Sequence, residues 1–189
     1  MTITLAPDEP RLQIMHMVRN TGLWEVQLAP WALTMMAPGG TEIMPMPHAE
    51  TGLLPNRYFT FWEYTRLNDP RLYLGETFMT LQQDPSRVAP FKLGYNNEPG
   101  WAAYVNRGQV LVKHFETDPD ALYPDNGCSY ETFTNDKMLE MEVLGPVVEL
   151  PPDTFTTVSE EWELYPAPAE AVPPRDETAI AALLEQIGV

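Results

Sequence analysis

The chain has 189 residues, 44% hydrophobic and 20% charged, and its 27 acidic against 11 basic side chains give a formal net charge of −16. That length suits a single domain burying roughly 70% of the surface an unfolded chain exposes, while the charge disfavours nucleic acid and anionic membranes as partners. The single cysteine, Cys128, excludes an internal disulfide and a thiolate-rich metal cage, and no apolar run reaches the length of a membrane span.

The amino end, MTITLAPDEP, lacks the basic start and apolar middle of a signal peptide and reads as a lead-in, so a cytoplasmic protein is expected. From Arg11 to Arg19, Leu12, Ile14, His16 and Val18 alternate with Gln13, Met15 and Met17. This predicts a strand buried on both faces, with His16 as a core residue. The turn Asn20-Thr21-Gly22 and a second strand ending near Leu28 predict an antiparallel hairpin. Next comes PWALTMMAPGGTEIMPMP, with Trp31, Leu33 and Met35 on one face and Pro38-Gly39-Gly40 as a reversal.

His48 to Asn56 reads as a loop and Arg57 to Tyr64 (RYFTFWEY) as an aromatic strand. Arg71–Leu74 and Thr77–Gln82 form a predicted pair about Gly75, followed by strands at Phe91–Tyr95, Gly100–Val105 and Gln109–Glu116. In Leu139–Val143, Leu139, Met141 and Val143 make a dry face and Glu140 and Glu142 a wet one. Thr154–Leu164 repeats this, with Val158, Trp162 and Leu164 opposite Ser159, Glu161 and Glu163. Short strands divided by Gly, Pro, Asn and Asp, in a chain with 20 prolines, predict an all-β antiparallel sandwich over residues 1–165. A Pro/Ala-rich linker, 166–175, then leads to a short helix, 176–189, capped by Asp176 and stopped by Gly188. Its stripe of Ile180, Leu183, Leu184 and Ile187 needs a partner surface, in this domain or in another chain.

Glu131, between Tyr130 and Thr132 after a small-residue turn, is the candidate general base if apolar neighbours desolvate it; the plain alternative is a solvated strand glutamate. Glu140 and Glu142 are a candidate Ca²⁺ pair, or simply the wet side of a sheet, and no other cofactor is expected. His114 is the histidine best placed to face a cleft. Lys92 is a candidate donor to a ligand oxygen, Asn135 a further ligand contact, and Trp31, Trp62 and Trp101 offer faces on which a sugar ring can stack.

The order of HMVRNTG, LAPWALTMMAPGG, LLPNRYFTFWEYT, DPRLYLG, PFKLG, YPDNGCSYETFTN, LEMEVLGP and ELPPDTFTTVSEEWEL resembles the galactose-mutarotase-like superfamily, and a mutarotase-like group within it, from about Arg11 to Leu164. The resemblance implies a shortened supersandwich without its early strands, whose concave face binds a neutral aldose. It also implies aldose 1-epimerase chemistry, in which a glutamate takes the anomeric proton and a histidine protonates the ring oxygen. Glu131 matches that glutamate by motif. The histidine belongs in the region that here reads LAPWALT, which has no imidazole, and using His114 instead requires another geometry. The alternative is therefore a non-catalytic interaction or assembly module, with a homodimer formed through an open sheet edge or the C-terminal helix.

Overall fold

The computed structural model describes residues 1–167 and 173–189. The chain enters through β1 (Thr2–Leu5) and β2 (Arg11–Arg19) and continues through β3 (Val26–Leu28), β4 (Trp31–Met36), β5 (Thr41–Pro45) and β6 (Phe59–Phe61). Then come β7 (Leu72–Leu74), β8 (Phe78–Gln82), β9 (Phe91–Tyr95), β10 (Trp101–Asn106) and β11 (Gln109–Phe115). A single turn, α1 (Pro124–Gly127), precedes β12 (Tyr130–Thr134), β13 (Leu139–Leu144), β14 (Val148–Leu150), β15 (Phe155–Pro166) and the helix α2 (Glu177–Ile187).

The strands pair antiparallel throughout. They make an eight-stranded sheet ordered β1-β2-β15-β11-β10-β5-β8-β7, a five-stranded sheet ordered β4-β13-β12-β9-β6, and a ribbon of β14 and β3. Period-two alternation decides what each sheet buries. Phe91, Leu93, Tyr95, Tyr130, Leu139, Met141 and Val143 of the smaller sheet meet Met44, Met79, Leu81, Ala102, Tyr104 and Phe115 of the larger in one apolar cluster. Phe115 stacks on Tyr130 with ring centroids 5.4 Å apart.

The opposite face of the larger sheet carries a second core. There Ile180, Leu183 and Leu184 of α2 pack on Ile43, Phe78, Ala103, Val105, Val110 and Val112. Asp176 caps the helix by accepting from the Ala179 amide at 3.0 Å, and Gly188 ends it at φ 81°. Glu177 Oε1 accepts from the Thr77 and Phe78 amides at 2.8 and 2.9 Å, which ties the first turn to the start of β8. The helix stripe thus faces its own domain and is not left over for a dimer. The middle of the predicted linker, 168–172, lies outside the described residues. Among those residues no helix is long and apolar enough to cross a membrane.

Several local expectations need correction. The lead-in contains a strand, β1, paired along β2 from Thr2 with Met15 to Leu5 with Leu12. β2 is covered on one side only, since Gln13, Met15 and Met17 are exposed. β3 pairs with β14 and not with β2, so the predicted hairpin does not form. Only Phe59–Phe61 of RYFTFWEY is strand. His16 is half-buried and bonded to Glu160, its Nε2 lying 2.8 Å from Glu160 Oε1.

Two polar clusters sit among the apolar side chains. Glu42 is wholly buried between the sheets and accepts from Tyr130 Oη and Thr132 Oγ1, both at 2.5 Å. Burial pushes its pKa up to about 8 against the pull of those hydroxyls and of Lys113. Lys113, also wholly buried, holds Glu160 Oε2 at 2.8 Å and Thr34 Oγ1 at 2.8 Å, and Trp162 Nε1 donates to the same carboxylate oxygen at 3.0 Å. Burial opposes ionisation of Glu160, yet the charge and hydrogen bond of Lys113 keep that carboxyl below its ordinary range.

Candidate functional site

Because Tyr130 and Thr132 point inward to Glu42, Glu131 between them points out of the sandwich, onto the far face of the five-stranded sheet. The register aligns Gly94 of β9, Glu131 of β12, Glu142 of β13 and Leu33 of β4 in one row across that face. Lys92 starts two residues before Gly94, opposite Phe133, and its long stem reaches back diagonally. Its Nζ lies 2.7 Å from Glu131 Oε2 and 2.9 Å from Glu142 Oε2. Trp31 Nε1 donates to that same Glu142 oxygen at 2.8 Å. The rings of Trp31 and Trp62 flank the ammonium, with centroids 4.8 and 4.7 Å from Nζ.

The cluster is closely covered: Glu131 is 1%, Glu142 0% and Lys92 8% exposed. Oε1 of Glu131 and Oε1 of Glu142 are buried and have no hydrogen-bond partner. Gly94 is required beside them, because a Cβ there would stand 2.7 Å from Cys128 Sγ and 3.1 Å from Glu131 Cγ. The left-handed run Asp125, Asn126 and Gly127, with φ of 49°, 66° and 95°, turns the chain into β12. Burial pushes the Cys128 thiol up to about 11, so it is no nucleophile near neutral pH.

One cation serves two buried carboxylates, and the electrostatics reflect the shortage. Burial raises Glu131 to about 7, against the hydrogen bond and charge of Lys92, and the nearby Asp125 carboxyl and then the charge of Glu142 add to the rise. Burial also works against the charge on Lys92, but its two carboxylate partners hold that pKa above the ordinary lysine value. A base poised near neutrality is present. The adjacent ammonium gives up its proton reluctantly.

Of the residues singled out in the sequence, Glu131, Lys92, Trp31, Trp62 and Glu142 meet here, with Glu140 half-buried on the same face. His114 does not join them. It pairs across strands with Trp101 and Glu161 on the helix side of the larger sheet, 3.4 Å from Glu163 Oε2, so both sheets separate it from Glu131. There it lines a recess of about 620 Å³ with Gln13, Ser159 and Glu161. Trp101 stands edge-on to Phe78 with centroids 6.3 Å apart and packs against the α2 core. Asn135 shapes a turn, its Oδ1 accepting from the Lys137 and Met138 amides at 2.8 and 3.2 Å.

Glu140 and Glu142 do not form a cation pair of their own, because Lys92 and Trp31 occupy Glu142 Oε2. Among the described residues no three acidic, histidine or cysteine side chains converge as a metal cage requires. Lys92 is bound to two glutamates and is not the free donor expected from its sequence. The available signal was that Lys92, Glu131 and Glu142 are the polar members of their strands' alternation; the register that joins them is not written in any one strand.

No model of a protein family matches the sequence. No curated protein matches it either. Solved structures do. A candidate aldose 1-epimerase from Klebsiella pneumoniae superposes with a TM-score of 0.53 at 12% identity, over 98% of this chain and 48% of that one. Another candidate aldose 1-epimerase, from Escherichia coli K12, gives 0.50 at 13% identity over 83% and 57%. The Slr1438 protein from Synechocystis gives 0.51 at 12% identity over 83% and 51%. The chain spans about half the length of the structures it matches. Likeness at this identity establishes the fold, a mutarotase-like β-sandwich, and nothing about residues or activity.

Proposed function

We propose that this mutarotase-like sandwich binds a sugar on the outer face of its five-stranded sheet and does not epimerise it. The observation that supports binding is the unfilled half of two buried carboxylates, Glu131 Oε1 and Glu142 Oε1, in a cluster whose ammonium is flanked by two tryptophan rings. A sugar carries hydroxyl donors around a ring whose C–H face packs on an indole, so one ligand satisfies both features. Epimerisation needs an acid for the ring oxygen as well as a base. Among the described residues no histidine pairs with Glu131, and Lys92 is held in its charged form by two carboxylates.

Polarimetry on a freshly dissolved single anomer is expected to give the buffer rate, unchanged in Glu131→Gln. Tryptophan emission is expected to respond to sugar at concentrations up to about 10 mM, the range of a weak unaided site, and to lose the response in Trp62→Ala. Mutarotation accelerated by the wild type and abolished in Glu131→Gln makes the protein an epimerase instead. A flat emission response to every sugar removes the binding claim.

A second reading, an association module, is favoured by β4. Trp31, Leu33 and Met35 are 53%, 47% and 67% exposed along it, and its outer edge has no partner strand among the described residues. Under that reading light scattering finds a dimer that Met35→Lys returns to monomer; a wild-type monomer at all concentrations dismisses it.

A further inference from the structure

We propose that the ligand taken up at Glu131 and Glu142 bears an ammonium group, an amino sugar in preference to a neutral, acidic or phosphorylated one. This rests on the sugar-binding reading and narrows it. The cluster is already a built ammonium site: the Nζ of Lys92 has carboxylate oxygens at 2.7 and 2.9 Å and indole centroids at 4.8 and 4.7 Å. Two carboxylates plus aromatic faces are the surroundings in which a cation is held best out of water.

Lys92 leaves that site incomplete. One ammonium against two carboxylates leaves a surplus negative charge, and Glu140 on the same face and the net charge of −16 add to the field. The two unfilled oxygens, both in side chains at most 1% exposed, need donors. A hydroxyl supplies a donor without charge, whereas a ligand ammonium supplies three donors and the missing positive charge. A phosphate or carboxylate on the ligand gains nothing from Lys92, which is already engaged twice. Trp31 is half exposed over the cluster, so entry requires an indole to swing aside, and tryptophan emission reports the event.

The test uses the full chain and a panel of D-glucosamine, D-glucose, N-acetyl-D-glucosamine and D-glucose 6-phosphate, titrated at about pH 7.5, above the value of about 7 for Glu131 so that both carboxylates are charged, and near the ordinary α-amine value of about 7.7 so that much of the free amine is charged too. Glucosamine is expected to bind at least tenfold tighter than glucose or its N-acetyl counterpart, a gap of about 1.4 kcal/mol, and added salt is expected to narrow it. Glucose 6-phosphate is expected not to bind. Glucose and N-acetylglucosamine binding as tightly as glucosamine overturns the ammonium preference and leaves sugar binding intact. Silence from all four removes the sugar reading itself. The wild-type panel needs no variant; in Glu142→Gln the glucosamine advantage is expected to shrink, and an undiminished advantage in a folded Glu142→Gln protein places the ammonium elsewhere and overturns the assignment.

Discussion

Lys92→Met is expected to cost about 3–5 kcal/mol of folding stability, the range found when one partner of a buried ion pair is removed and the other charge stays behind. Here two charges stay behind, Glu131 and Glu142, with their Oε2 atoms stripped of the ammonium at 2.7 and 2.9 Å. Urea denaturation of the single variant, and of the triple variant Lys92→Met, Glu131→Gln, Glu142→Gln, separates charge from packing. The triple variant is expected to recover most of the loss, because neutral side chains of similar shape need no counter-charge. A single variant as stable as the wild type means that water reaches the carboxylates and the cluster is not the closed site described above.

The pH dependence carries a sign. The folded-state pKa of Glu131, about 7, lies above the ordinary carboxyl value, so the folded protein holds that proton more tightly in the interval between them. Stability therefore falls as pH rises through that interval and levels off above it. Without Lys92 the Glu131 carboxyl loses its main stabiliser in the charged form, so the fall is expected to be larger. Lowering the pH toward 5 is expected to return part of what Lys92→Met removes.

Much of this architecture was legible in single strands. Leu139, Met141 and Val143 alternate with Glu140 and Glu142, and the structure buries the first three against the other sheet and turns the glutamates to the far face, which is not the wet face expected, since Glu142 is fully buried there and Glu140 half-buried. β7 and β8 form the hairpin read about Gly75. What stayed hidden depends on which strand lies beside which. Glu42 sits in β5, buried on both faces from Glu42 onward, where no alternation marks one side as wet. Glu160 shares the inward face with Val158 and bonds Lys113, and neither residue's own surroundings in sequence announce a buried pair. The Trp31–Lys92–Trp62 arrangement needed three distant segments brought together. His114 was chosen for its chemistry, but the parity of β11 directs it with Val110 and Val112 to the helix side.

Ile180→Ala is expected to cost about 2–5 kcal/mol, as truncations of fully buried large aliphatic side chains do. Ile180 is completely enclosed, with Leu183 and Leu184 beside it and Ile43, Val110 and Val112 beneath. Thermal or urea melts check the value, and Ala181→Ser on the exposed side of the helix is the control, expected within about 0.5 kcal/mol of wild type. Ending the chain at residue 175 is expected to bare the apolar side of β5, β10 and β11 and to produce strong binding of a hydrophobic dye. If Ile180→Ala melts with the wild type and the shortened chain shows no dye binding, α2 is an appendage and the larger sheet is self-sufficient.

The position of β15 also constrains how the protein is made. It lies between β2 and β11, joined to one from Phe155 with Arg19 to Glu163 with Arg11 and to the other from Gln109 with Pro166 to Phe115 with Glu160. While translation is under way, β2 has only β1 as a neighbour and β11 only β10. A nascent chain that has emerged as far as residue 150 thus carries two unfinished borders, each with a row of unanswered amides and carbonyls. β15, made after both of them, is inserted between them, and closure at such long sequence separation is slow. Synthesis exposes these borders to other chains for longer than the finished molecule ever does.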